Sequence, residues 1–380
     1  MVVPMLDLSR QYALLRNQVL EAITRVCDSQ RYILSDEVAS LEREFAMLCR
    51  THEAVGCASG TDALWLALAA RDIGPGHDVI TTPFSFFATA GAVLRAGARP
   101  VFVDIDPETL NIDPTKVQQK LGTFSSRSRC LLPVHLYGQV ANMDALNALA
   151  AEHALEVIED AAQAAGALWN GKAAGSLGVI AAFSFYPTKN LSAFGDAGAL
   201  TTESPELASR LRSLRNHGGR QRYYHDEVGA NSRLDAIQAA VLLVKIPYLQ
   251  QWNDARREVA GIYLHLLEEA GLTRIGANSP APVRLLKCDP RAHHIYHQFV
   301  IRVEKRDSLR AFLAERGIGT EIYYPVPLHL QQCLAYLGYA SGDLPESEQA
   351  AKDVLALPIF PELRKDEQQY VIEAIADFYS

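Results

Sequence analysis

Residues 78–106 read DVITTPFSFFATAGAVLRAGARPVFVDID. An apolar run, an aromatic turn, a helix of small residues and Gly97 lead into a second apolar run that stops at Asp104-Ile105-Asp106. The same unit recurs on both sides. Upstream, AVGCASGTDALWLALAARDIG (54–74) gives a buried strand, a Ser-Gly-Thr turn and an apolar helix. Downstream, CLLPVHLYG (130–138), the helix MDALNALAAEH (143–153) and LEVIEDAAQAAG (155–166) continue the alternation. Strands alternating with helices of this length predict an α/β fold with a mostly parallel sheet covered on both faces.

In such sheets ligands gather at the carboxyl ends of the strands. Asp160 falls at one such end, where it either serves a ligand or caps a helix over AAQAAGA. Ser59-Gly60-Thr61 joins a strand to a helix, and the unpaired N–H groups of a helix start favour an anion. SGTDAL matches neither nucleotide fingerprint, GxxxxGK[ST] or GxGxxG, so an ordinary N-cap at Ser59 or Thr61 remains open.

The stretch Phe183–Leu200, FSFYPTKNLSAFGDAGAL, carries one lysine, Lys189, in an aromatic and glycine-rich setting. From Ala161 to Thr202 its only strongly charged companions are Lys172 and Asp196. Burial of an ammonium disfavours its charge, which suits a nucleophilic amine, although a snorkelling side chain would also fit.

Around this centre, helical spacing predicts helices over residues 11–28 and 37–48. Beyond residue 204, Arg210, Arg212, Arg215, Arg220, Arg222 and Arg233 predict a local positive field. Arg222 with Tyr223 and Tyr224 suits phosphate clamping and ring stacking. From Leu234 a helix is expected, kinked near Pro247, and it continues into a long helix. A Pro-rich passage (277–294), the alternating strand IYHQFVIRV, the helix DSLRAFLAERGI and the extended TEIYYPVPLHL make a smaller α+β unit. The expected division is a large domain over 1–250, whose N-terminal helix could pack on the small one, and a C-terminal domain over 251–380.

The chain has 380 residues, enough for two cores, and 49% of them are hydrophobic. A formal charge of −8 argues against nucleic acid or anionic membranes as partners. No run of eighteen uncharged apolar residues and no basic leader with an apolar core is seen, so a cytoplasmic protein is expected. Six cysteines without CxxC or His/Cys ligand spacing read as buried free thiols in a reducing compartment, with no metal site.

Together SGTDAL (59–64), EDAAQ (159–163), SFYPTKN (184–190), GDAGA (195–199) and NSRLDAIQAA (231–240) closely resemble the DegT/DnrJ/EryC1/StrS family of pyridoxal-phosphate sugar aminotransferases. Each motif alone is weak; their order and separations over about 180 residues are specific. The resemblance runs from about Pro4 to Pro361. It implies the aspartate-aminotransferase type of fold (fold type I), with a seven-stranded sheet in the large domain, a smaller C-terminal domain, and a homodimer with shared active sites.

By that resemblance Lys189 would bind pyridoxal 5′-phosphate covalently and afterwards shuttle protons, and Asp160 would pair with the ring nitrogen. Gln163 would reach the phenolic oxygen, and Phe86, favoured over Phe87, would lie on the ring face. Gly60, Thr61 and Ser184 would hold the phosphate, joined by Asn231 of the partner subunit. The implied reaction is ping-pong transfer of the amino group of L-glutamate to a nucleoside-diphosphate keto sugar, in deoxyaminosugar biosynthesis for lipopolysaccharide or antibiotics. The NSRLD form is closer to the 3-keto than to the 4-keto branch. Tyr186, Arg222, Arg233, Tyr323 and Tyr324 are the expected substrate contacts. Many relatives have His where Tyr323 stands, and a tyrosine brings no charge to a diphosphate. Other family substrates, a cyclitol or an amino-benzoate precursor, and a non-catalytic regulatory role are the competing readings. Lys189 argues against the dehydratase variant, which has histidine there.

Overall fold

In the computed structural model, residues 1–121, 127–273 and 282–380 are described. The apolar runs build one seven-stranded sheet, ordered from one edge Glu53–Cys57, Gly198–Thr202, Ile180–Ser184, Glu156–Asp160, Ser128–Leu132, Asp78–Thr81, Arg99–Phe102. Only Gly198–Thr202 is antiparallel to its neighbours. Its residues are all buried, as a strand covered on both faces requires. The fold is therefore α/β with a mostly parallel sheet, as the sequence predicts.

The carboxyl ends of the six parallel strands converge on one side of the sheet. Because Gly198–Thr202 runs the other way, its first residue reaches that same side, with Gly198 in register between Cys57 and Ser184. A side chain there is impossible without movement: a Cβ would lie 2.5 Å from the backbone of Ser59. The glycine of GDAGA thus lets the Ser59 turn close over the sheet.

The helices of the N-terminal region span Leu8–Ser29 and Asp36–Cys49. Leu15 and Val19 pack with Val241 and Trp252. At its start Arg10 bonds both carboxylate oxygens of Glu367 (2.8 and 2.6 Å). Pro247 marks a short 3-10 turn, Ile246–Tyr248, between helices Ala236–Lys245 and Leu249–Glu269.

The C-terminal region holds a three-stranded antiparallel sheet, Val283–Leu285, Phe299–Val303 and Val354–Leu357. IYHQFVIRV does not alternate: Phe299–Val303 is the central strand and all five residues are buried. Tyr263, Phe360 and Val371 fill this second core, and Phe84, Ile105 and Tyr137 enter it from the loops of the large sheet. TEIYYPVPLHL ends in a short 3-10 turn, Leu328–Leu330. Of the Pro-rich passage, residues 277–281 lie outside the described residues.

Three further expectations change. AAQAAGA forms successive tight turns and no helix: Ala164 N–H donates to Ala161 O, Ala167 N–H donates to Ala164 O, and Gly166, at φ 88°, takes the chain out of the right-handed helical region. The positive field near residue 210 is largely cancelled: Arg210 pairs with Asp72 and Glu227, Arg212 with Glu53, and Arg215 with Glu42. All six cysteines are free, but Cys288 and Cys333 are exposed and Cys27 is half-buried.

Candidate active site

The turn after the first strand sets one end of the site. Ser59 caps the helix Gly60–Ala70, its Oγ accepting from Asp62 N–H at 3.1 Å, so the cap expected at Ser59 or Thr61 is Ser59. The cap leaves the N–H groups of Gly60 and Thr61 at the start of the helix dipole. A Cβ on Gly60 would meet Ser184 Cβ at 2.6 Å, so the backbone here presses on the strand end that carries Ser184. The Ser184 hydroxyl accepts from Tyr186 N–H at 3.3 Å, which leaves its own proton available to an anion.

At the middle of the sheet Asp160 is 4% exposed. Its Oδ2 accepts from Thr89 Oγ1 at 2.8 Å and its Oδ1 from Ala162 N–H at 3.2 Å. Burial pushes its carboxyl above the usual range, against those two hydrogen bonds and the charge of Lys189. The preceding Glu159, fully buried, accepts from the N–H groups of Gly175, Leu177 and Gly178 and lies 2.9 Å from His135 Nε2. Glu159 and Asp160 alternate across the strand, one shaping the loop below the sheet and one facing the site.

Lys189 is half-buried overall, yet desolvation of its ammonium draws it down to about 8, against the pull of Asp160. Its neighbour Asn190 is locked by three contacts. Nδ2 donates to Asn253 Oδ1 (2.8 Å) and to Ile295 O (3.4 Å), and Oδ1 faces His297 Nδ1 (3.0 Å). His297 is held well below its ordinary range by burial, then by the charges of Lys189 and Arg256. A lowered lysine is not by itself diagnostic, since burial also draws Lys245 to about 8. Lys245 Nζ, however, is committed to Ser192 O and Oγ at 2.8 and 3.0 Å.

Gln163 is oriented by the backbone and not by a helix. Tyr137 N–H donates to its Oε1 (2.6 Å), and its Nε2 donates to Tyr324 Oη (3.0 Å). Tyr137 is buried with φ 59°, an uncommon conformation for a bulky residue, and its phenol donates to Tyr323 O. Tyr324 also meets the rings of Phe84 and Phe86 at 6.3 and 6.2 Å. Tyr324 therefore touches the Asp160–Gln163 segment directly, while Tyr323 engages Gln298 through its side chain.

Of the remaining expected residues, Phe86 and Tyr186 border the cluster through Tyr324 and Ser184, and the others are assigned to its rim by the resemblance alone. Phe86 is 58% and Tyr186 52% exposed. Phe87, Tyr223 and Tyr224 are exposed as well, and Arg222 stacks over the Tyr223 ring at 4.9 Å. Arg233 is turned toward its own loop, where its Nη1 donates to Asn216 Oδ1 at 2.9 Å. Asn231 is exposed, but the next residue, Ser232, is buried and donates to Asp62 Oδ2 at 2.8 Å. Sequence reading missed Thr89, Ser85, Tyr137, Asn190 and His297. Three of these had a signal: Ser85 and Thr89 lie inside PFSFFATA beside the favoured Phe86, and Asn190 closes SFYPTKN beside Lys189.

Among the described residues no group of His, Cys, Asp and Glu has metal-holding geometry, and no helix is long and apolar enough to cross a membrane.

Comparison with known proteins places this geometry. A Streptomyces venezuelae protein named dTDP-3-amino-3,4,6-trideoxy-alpha-D-glucose transaminase is 46% identical over 376 residues, 99% of this chain and 96% of its own. A Geobacillus stearothermophilus protein named pleiotropic regulatory protein is 52% identical over 379 residues, covering 100% of this chain and 99% of its own. The crystal structure of S. venezuelae DesV in complex with a ketimine intermediate superposes with a TM-score of 0.94 at 46% identity, over 99% of this chain and 98% of that one. The model of the DegT/DnrJ/EryC1/StrS aminotransferase family matches residues 14–376, and the chain belongs to that family.

Proposed function

We propose that this pyridoxal-phosphate-dependent aminotransferase moves the amino group of L-glutamate onto a nucleoside-diphosphate keto sugar, at C3 of the sugar, by a ping-pong reaction. The observation that carries the reading is the desolvated Lys189 amine, drawn to about 8, set against the buried carboxylate of Asp160 at the carboxyl ends of the parallel strands. The C3 preference rests on the NSRLD motif and on the similarity to a 3-amino sugar transaminase.

The residues fit the cofactor. The Ser184 hydroxyl, packed against Gly60, and the first N–H groups of the helix Gly60–Ala70 together suit a phosphate. The buried anion at Asp160 suits a protonated ring nitrogen, and the Gln163 amide suits a phenolic oxygen. When bound, pyridoxal phosphate supplies the electron sink for the carbanion left by α-proton removal. Gly60, Thr61 and Ser184 then anchor the phosphate, with Asn231 supplied by the partner of a homodimer. Asp160 would keep a positive charge on the ring nitrogen, and Phe86 would cover the ring. Lys189 Nζ takes the proton from the donor carbon in the first half-reaction and returns one to the sugar carbon in the second. Tyr186, Arg222, Arg233, Tyr323 and Tyr324 bound the sugar-nucleotide space, residues 1–250 holding the cofactor and 251–380 closing over it. The setting is the cytoplasm.

The test is glutamate-dependent amination of a panel of 3-keto and 4-keto sugars on thymidine and uridine diphosphate carriers. Turnover of a 3-keto member is expected; turnover confined to 4-keto sugars would reverse the position, and none would sink the substrate class. The regulatory name borne by one relative is not favoured, since the sequence keeps Lys189, Asp160 and Gln163.

A further inference from the structure

Asp160 must be both aimed and ionised to face a ring nitrogen, yet its surroundings oppose ionisation. Thr89 and Ser85, 1% and 5% exposed, stand directly behind it. Thr89 Oγ1 lies 2.8 Å from Asp160 Oδ2, and Ser85 Oγ lies 2.9 Å from Thr89 Oγ1. Thr89 has a single hydroxyl proton, so giving it to the carboxylate makes Ser85 the donor to Thr89. The other carboxylate oxygen meets Ala162 N–H, which can only donate. Every hydrogen bond on Asp160 is thus compatible with the charged form, and a bond to a charged acceptor is the stronger kind.

We propose that Thr89, backed by Ser85, is a positioning residue that keeps the Asp160 carboxylate charged and aimed at the ring nitrogen of pyridoxal phosphate. The proposal rests on the cofactor role assigned above to Asp160. Thr89 sits in the first turn of the helix Ala88–Arg95, so its rotamer is set by an element and not by a mobile loop. Ser85 fixes the direction of the Thr89 dipole.

The experiment measures the affinity of the apoenzymes of wild type, Thr89→Val, Thr89→Ser, Ser85→Ala and Asp160→Asn for two ligands: pyridoxal phosphate and its carbocyclic analogue, in which carbon replaces the ring nitrogen. Thr89→Val should bind pyridoxal phosphate about tenfold more weakly near neutral pH, the size expected for one hydrogen bond to a charged group. Without Thr89 the carboxyl rises further, so the deficit should widen as pH falls and close as pH rises. The carbocyclic analogue should bind Thr89→Val and wild type alike. Thr89→Ser should restore affinity, and Ser85→Ala should lose about threefold. An equal loss of both ligands in Thr89→Val would show a packing role only and overturn the proposal, as would no loss at all. Asp160→Asn separates the two levels. If Asp160→Asn distinguishes the ligands and Thr89→Val does not, only the Thr89 proposal falls; if Asp160→Asn treats them alike, the cofactor role of Asp160 falls with it.

Discussion

The floor of the site and its rim are built in opposite ways. On the floor, Asp160, Gln163 and Asn190 are buried, and their side chains are held by hydrogen bonds within the chain. On the rim, Phe86, Tyr186, Tyr223 and Tyr224 lie open, and Arg222 has a neighbouring ring in place of a buried anchor. A prepaid geometry suits a cofactor that stays through every turnover, whereas exposed aromatic and cationic side chains suit a substrate that comes and goes, or a second subunit that covers them. The buried part is thus held within the chain, and the exposed part is open to solvent.

Removing the amine attacks the floor most directly. Lys189→Ala should lower turnover at least about a thousandfold and abolish the visible absorbance of the bound cofactor. The same amine gives a pH signature. Since only its neutral form attacks, and burial sets its midpoint at about 8, cofactor capture by the apoenzyme should accelerate as pH rises and level off above about 8. A rate still climbing toward the range of an ordinary lysine would show that the amine is not desolvated.

Next in size is the backbone of the cradle. Gly198→Ala places a Cβ against the carbonyl of Ser59, which cannot swing aside as a side chain could. The expected cost is about 1–3 kcal/mol in stability, read from chemical unfolding, together with loosened cofactor. Unchanged stability would mean that the cradle yields more readily than its packing suggests.

The boundary between floor and rim is tested by mixing subunits. If Asn231 serves the partner's phosphate, dimers of one Asn231→Ala and one Lys189→Ala chain contain one fully native site. Random mixing of chains should then recover about a quarter of wild-type activity, while each parent stays impaired. No recovery beyond the parental average would place Asn231 in its own chain's site. The smallest effect belongs to the rim itself. Arg222→Ala should raise KM for the keto sugar about twofold to fivefold, consistent with one exposed charge, and leave the glutamate half-reaction unchanged.

Much of the floor could be read in the sequence because each of its parts is a local pattern. The strand-turn-helix units gave the sheet, Lys189 stood out as a charge in an apolar run, and Asp160 as an acid at the carboxyl end of a strand. What remained hidden depends on contacts across the fold. Tyr137 reaches Gln163 through its backbone, a contact 26 residues apart in the chain. His297 meets Asn190 across 107 residues, and no periodicity announces such a pair. The turns at AAQAAGA escaped because alanine favours a helix, whereas the chain turns out of one at Gly166, whose φ is 88°. Arginines 210, 212 and 215 looked like a field because their acidic partners are distant in sequence.

The pairing of Ser232 with Asp62 has a genetic consequence. The loop that offers Asn231 outward is stapled, one residue later, to the helix that begins at its own chain's Gly60. If Asn231 serves the neighbouring pocket as proposed, one altered codon in this loop would perturb two reactive centres, in different subunits, by different routes. In a cell expressing both alleles, such a variant would act dominantly, pulling down the output of native chains in mixed dimers, and compensation would have to arise for both centres together.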